Sequence, residues 1–260
     1  MLSIAIKNKD GEIYAENSGS GYVDLLFQRG YEEGDCIELT VGDAPRHIVW
    51  QVDDAIGTAM CYVTGCVKYQ IPFGDQKRAY SPKAFSGQRH YLYVREAEER
   101  EISQYRNLAR NVADQHDLTC CYPHAKANIE TRGESVFAAR NAIDGIYANN
   151  CHGRWPFGSW GINRDPNAEM YILFGRTVLV DCIKIYLRAD FPHDSYWTGG
   201  KLYFSDGSCE RLNFDKTEKG QIFHISPREI DWVKFTDLIK AKDDSPFPAL
   251  TQIEVYGREL

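Results

Sequence analysis

Apolar side chains recur at every second position in short runs along this chain, and that period confines it to β structure. Ile183, Ile185 and Leu187 alternate with Lys184, Tyr186 and Arg188, and Met170, Ile172 and Phe174 do the same before Gly175. An extended backbone sends successive side chains to opposite faces, so each run has one face to bury. The first half repeats the pattern at Cys36–Val41, Ile48–Val52, Met60–Thr64, Val67–Ile71 and His90–Val94. In the second half it returns at Lys201–Phe204, Arg211–Phe214, Gln221–Ile225, Asp231–Phe235 and Gln252–Tyr256. Polar turn residues separate the runs, and Ser205-Asp-Gly-Ser208 supplies hairpin chemistry between two of them. Helical spacing is confined to Ile102, Tyr105, Leu108 and Val112, just after the charged run Arg95–Glu101. The expected fold class is therefore all-β: two β-sandwich (jelly-roll) domains, residues 1–105 and 106–260. A short helix or irregular bridge joins them, its apolar stripe laid across one or both.

Charge and cysteine usage remove several function classes. The net charge is −7 across 260 residues, and neither half is basic, so no phosphate-backbone footprint is present and nucleic acid is not an expected partner. No apolar run approaches the roughly 20 residues that a membrane-spanning helix needs. The start, Met1-Leu-Ser-Ile-Ala-Ile-Lys-Asn-Lys-Asp10, shows no basic segment leading into an apolar one. No secretory signal is visible there, and a cytoplasmic location is expected. The eight cysteines contain no Cys-x-x-Cys pair, which leaves a structural zinc site without support. Free thiols in a reducing compartment are expected. Catalytic motifs are equally scarce: there is no His-x-x-x-His, Walker or Rossmann pattern, and Phe157-Gly-Ser-Trp-Gly161 misses the spacing of a nucleophile elbow.

The densest chemistry follows the strand that ends near Arg188. Arg188-Ala-Asp-Phe-Pro-His-Asp-Ser-Tyr-Trp197 packs a guanidinium, two carboxylates, an imidazole and three aromatic rings into ten residues. Loops on a rigid β scaffold are where binding groups concentrate. The competing reading is that the rings plug the end of a sandwich while Asp190 and Asp194 form turns.

Three motifs in order carry a family resemblance: Ala139-Arg-Asn-Ala-Ile-Asp-Gly145, Tyr171-Ile-Leu-Phe-Gly-Arg176 and Ile253-Glu-Val-Tyr-Gly257. Over about residues 120–260 the chain resembles the discoidin, or coagulation-factor type C, family of galactose-binding-like jelly rolls, which includes many sugar-binding modules of bacterial glycosidases. Leu173 stands where that family usually has Asp, and Asn149–Gly158 replaces a short Thr-x-Trp. The resemblance implies a structural Ca²⁺ at one end of the sandwich. Its ligands would be the Asn141 carbonyl, the Asp144 carboxylate and Glu254, with Asn149 or Asn150 in place of the missing Thr oxygen. Such a set supplies the six to eight oxygens that calcium takes.

A second site is expected where two loops gather rings and ionic groups: His152, Arg154, Trp155, Arg188, Asp190, His193, Asp194, Tyr196 and Trp197. Sugars present an apolar C–H face that an aromatic ring covers and hydroxyls that Arg, Asp and His orient. One of Trp155 and Trp160 belongs to the core. The leading expectation is a non-catalytic carbohydrate-binding protein whose partner is a glycan. The alternatives are a protein-interaction or assembly scaffold, with a protein partner or a homo-oligomer on the 188–197 loop, and a His/Asp-dependent hydrolase built on His193, Asp194 and His152.

Overall fold

A computed structural model describes residues 1–43, 45–148, 153–189 and 195–260. The chain is nearly all β, as the alternation requires, and among the described residues every strand pairing is antiparallel. One sheet orders the strands Ile13–Gly19, Leu2–Lys7, Cys36–Thr40 and Val67–Gln70. A second orders Cys121–Tyr122, Ala59–Val63, Arg46–Gln51, His90–Glu96 and Tyr22–Phe27. Leu2, Ile4 and Ile6 from the first sheet and Val23, Leu25 and Phe27 from the second meet Trp50, Tyr69 and Leu92 in one core. Before Cys36, the strands Leu2–Lys7 and Tyr22–Phe27 alternate in the same way, whereas Ile13–Gly19 buries no residue.

The third sheet runs Trp160–Gly161, Ala249–Glu259, Met170–Leu187, Gln221–Lys240, Trp197–Phe204 and Cys209–Asn213, with His124–Ala127 and Arg106–Asn107 added at its sides. Two runs that the sequence separates at Gly175 are one strand, Met170–Leu187, and the runs on either side of Pro227 are one strand, Gln221–Lys240. Their pairing register breaks between Leu173 and Val178, where Gly175 has a φ of +69°. A side chain at that glycine would lie 2.3 Å from the Tyr122 ring. Residues on both sides of the break, Ile172 and Phe174 before it and Val178 and Ile183 after it, enter a single core with Trp160, Trp197 and Phe235. This is how one long antiparallel sheet closes over itself as a sandwich.

The bridge is only one helical turn, Glu99–Ile102, with none of its residues buried, followed by irregular chain. Leu108 and Ala109 enter the second core, whereas Val112, Ala113, Leu118 and Cys121 enter the first. Between the two cores lies Glu259, whose carboxylate accepts from Arg106 at 2.6 Å and from Arg176 through two nitrogens, with His47 Nε2 at 3.4 Å. Burial pushes that carboxyl up, but His47 and Arg176 outweigh it and hold the group down at about 2. A second tie joins the two units elsewhere: Ser135 N–H donates to the Asp75 carboxylate and Ser135 Oγ to the Asp75 carbonyl.

Candidate functional site

Four separate segments of the second unit enclose a cavity of about 190 Å³. Thr131, Arg132 and Phe137 come from the one-turn helices after the His124–Ala127 strand, and Ser159, Gly161, Ile162, Asn163 and Arg164 from the segment around Trp160. Arg188 closes the end of the Met170–Leu187 strand, and Phe247, Pro248 and Ala249 lead into the last strand. Backbone bonds fix this arrangement. Gly161 pairs with Ala249, Ser159 N–H donates to Val136 O, Arg188 N–H donates to Ala249 O, and Asn163 N–H donates to Thr131 Oγ1. Gly161 is required where it stands, since a Cβ there would lie 2.6 Å from Thr131 Oγ1.

The lining joins two kinds of group. Phe137, Ile162, Phe247 and Pro248 are apolar, while Ser159, Asn163 and three arginines are polar. Arg164 lies over the Phe247 ring at 4.4 Å, and Arg132 lies over Phe137 at 5.5 Å while its Nε bonds Glu134. Ser159 is fully buried, and its Oγ has no hydrogen-bond partner among the described residues. Buried hydroxyls are normally paired, so this one has capacity left for a group from outside. Arg132, Asn163 and Arg164 all hold positive φ, at 54°, 48° and 63°. Backbone strain of this kind in non-glycine residues costs about 1–3 kcal/mol each and gathers at binding sites.

The sequence-predicted ligand residues divide sharply against this geometry. Arg188 lines the cavity, buried, with its guanidinium donating to Phe157 O at 2.7 Å, and so links the loop after residue 187 to the loop before Trp160. Trp197 corrects the expectation: it is 1% exposed, packed against Trp160 and edge-on to Phe235, and belongs to the core. As the first residue of the Trp197–Phe204 strand it points inward with Leu202 and Phe204, so its ring cannot meet a ligand. Tyr196 is half-buried against the same core, and Arg154 and Trp155 are exposed and outside the cavity lining. His152, Asp190, His193 and Asp194 lie outside the described residues, as do Asn149 and Asn150. Sequence reading missed Thr131, Arg132, Phe137, Asn163, Arg164 and Phe247. The turn-rich Asn163-Arg-Asp-Pro-Asn167 was the one local signal for them.

At the expected metal position, Asn141, Asp144 and Glu254 are all buried. The Asn141 carbonyl and Asp144 Oδ1 do converge, but on the side-chain amide of Gln252, whose Nε2 donates to them at 2.5 and 2.9 Å and to Thr251 O at 2.7 Å. Glu254 turns elsewhere, accepting from the Tyr147 hydroxyl and, at 3.3 Å, from that of Tyr256. Burial pushes the Asp144 carboxyl up to about 6, against the pull of Arg140, the Ile146 N–H and Gln252. In this arrangement the residues do not fit a calcium ion, because an N–H donor already occupies the oxygens that would ligate one. Among the described residues, metal-ligand atoms cluster elsewhere only at Asp53, Asp54 and His90. Asp53 there accepts from Ala55 N–H, Phe85 N–H and His90 Nδ1, which ties two loops of the first unit together.

No family model matches the sequence, and no curated protein matches it. Solved structures similar to this chain include a chitosan-binding module from the chitosanase/glucanase of Paenibacillus sp. IK-5, at 18% identity over 58% of this chain and 98% of that one, with a TM-score of 0.41. Another is the family 32 carbohydrate-binding module of C. perfringens NanJ in complex with galactose, at 19% identity, 51% and 91% coverage and a TM-score of 0.39. A third is a Streptococcus pneumoniae fucose-binding module, at 14% identity, 59% and 98% coverage and a TM-score of 0.42. The likeness is one of shape over part of the chain, and it transfers no site.

Proposed function

We propose that the second sandwich is a non-catalytic carbohydrate-binding unit and that its site is the cavity between Phe137, Ser159, Arg164, Arg188 and Phe247. The observation that carries this reading is the pairing, in one concave space, of aromatic walls with a fully buried hydroxyl that has no partner among the described residues. A ring or C–H face lies against Phe137 or Phe247, and ring hydroxyls reach Ser159, Asn163 and the guanidinium groups. The cavity is smaller than the roughly 300–1,000 Å³ of sites for drug-sized ligands, which suits one sugar ring rather than a long chain. Strand-end and strand-flanking backbone holds the polar groups, as a preorganised site requires.

The reading is tested by a glycan array followed by calorimetry on each sugar that binds. Wild type is expected to retain at least one sugar, and Asn163→Ala to weaken it about tenfold, the loss of roughly 1.4 kcal/mol. A sugar that binds undiminished after substitution of Asn163, Ser159 and Phe247 together would place the site elsewhere.

A further inference from the structure

We infer that the side-chain amide of Gln252 does the work of a metal ion at its end of the second sandwich, so that this end is cross-braced without calcium. Gln252 is 2% exposed, and both ends of its amide are used. Oε1 accepts from the Gly145 N–H at 2.9 Å, which fixes which atom is oxygen. Nε2 then faces three oxygens: the carbonyls of Asn141 and Thr251 and the carboxylate of Asp144. Three acceptors gathered around one centre repel one another and need a positive partner. A cation supplies it in many proteins, and here the two amide hydrogens do.

The brace joins elements far apart in sequence. Gln252 sits in the last strand, opposite Tyr186, while Asn141 and Asp144 belong to the segment after Ala138. From Asn141 the connection continues, its side-chain amide donating to Ser135 O and its Cγ packing beneath Gly158. Ser135 and Gly158 adjoin Phe137 and Ser159 of the cavity wall. The amide thus also steadies one side of that cavity, and it does so wherever calcium is scarce.

Thermal unfolding of the full chain in calcium chloride and in EDTA tests the inference. Wild type is expected to melt at the same temperature in both, because a ligand stabilises only what it binds. Gln252→Glu keeps the shape but replaces the donor with an acceptor. It is expected to melt several degrees lower in EDTA and to recover part of that loss in calcium. A calcium-dependent rise in wild type that disappears in Asp144→Ala would overturn the inference, and so would a Gln252→Glu variant as stable as wild type in EDTA. If that variant does not fold, Gln252→Met serves in its place. A lower midpoint indifferent to calcium supports the brace, and a midpoint equal to wild type overturns it.

Discussion

Two regions of this molecule gather arginine, and Arg164 at the cavity is placed differently from the arginines that close on Glu259. Between the cores, Arg106 and Arg176 converge on one carboxylate, Glu259, in a setting with little solvent. At the cavity, Arg164 lies on a phenylalanine ring and the neighbouring Ser159 hydroxyl has no internal partner among the described residues. A guanidinium closed on a buried carboxylate is bonded within the fold, and removing either partner strands a charge. One laid over an aromatic ring keeps N–H donors directed away from it. On the proposed function the difference separates stability from recognition, and substitutions in the two regions should separate in the same way.

The largest expected effect lies beneath the cavity. Trp197→Ala should cost about 3–5 kcal/mol of folding stability, the usual range for a buried large aromatic, as read by urea unfolding. A loss below about 1 kcal/mol would return Trp197 to the binding surface. At the seam, Glu259→Gln should cost about 3 kcal/mol by leaving two arginines without their charge partner, with sugar binding unchanged. Acid probes the same carboxyl. Its value in the folded chain, about 2, lies below the ordinary 4.5, so its contribution is whole above about pH 4.5 and is lost as pH falls toward 2. The acid limb of the unfolding curve should flatten in Glu259→Gln, and an unaltered limb would mean that other carboxyls govern it.

The cavity should show the reverse. Phe247→Ala is expected to weaken sugar binding about tenfold through lost stacking area while shifting stability by less than about 1 kcal/mol, since the ring is 41% exposed. Ser159→Ala is the finest test. Removing a buried hydroxyl that has no partner among the described residues should leave stability level or slightly raised, yet reduce binding measurably by calorimetry. A clear loss of stability in that variant would mean that Ser159 is bonded within the fold and would dissolve the contrast.

The fold was legible because period-2 alternation is a local signal, and before Cys36 it is present in Leu2–Lys7, where Leu2, Ile4 and Ile6 point inward together. What alternation does not carry is continuity. Gly175 and Pro227 look like strand breaks, yet paired residues flank each of them on both sides, so the strand resumes beyond a local irregularity. Trp197 resembled a loop aromatic because Gly199 and Gly200 interrupt the inward pattern of its strand. The resemblance drew attention to the oxygens of Asn141 and Asp144. The role of Gln252 depends on the register that sets it against them, which no short motif expresses. The cavity was least legible, since its walls come from four segments far apart in the chain and only Arg188 stood in a loop with an evident concentration of chemistry.

The Glu259 seam also bears on how the protein is made. Synthesis is vectorial, and domains generally begin to fold as they emerge. Nearly all of the first core is available once Cys121 has left the ribosome, but Glu259 arrives on the last of the described strands. Until then His47 and Arg106 have no carboxylate to close on, and the first sandwich stands beside an unfinished neighbour. The nascent chain therefore passes through a long interval with one half built and its docking face uncovered, the stage at which a chaperone or a premature contact with another chain would act.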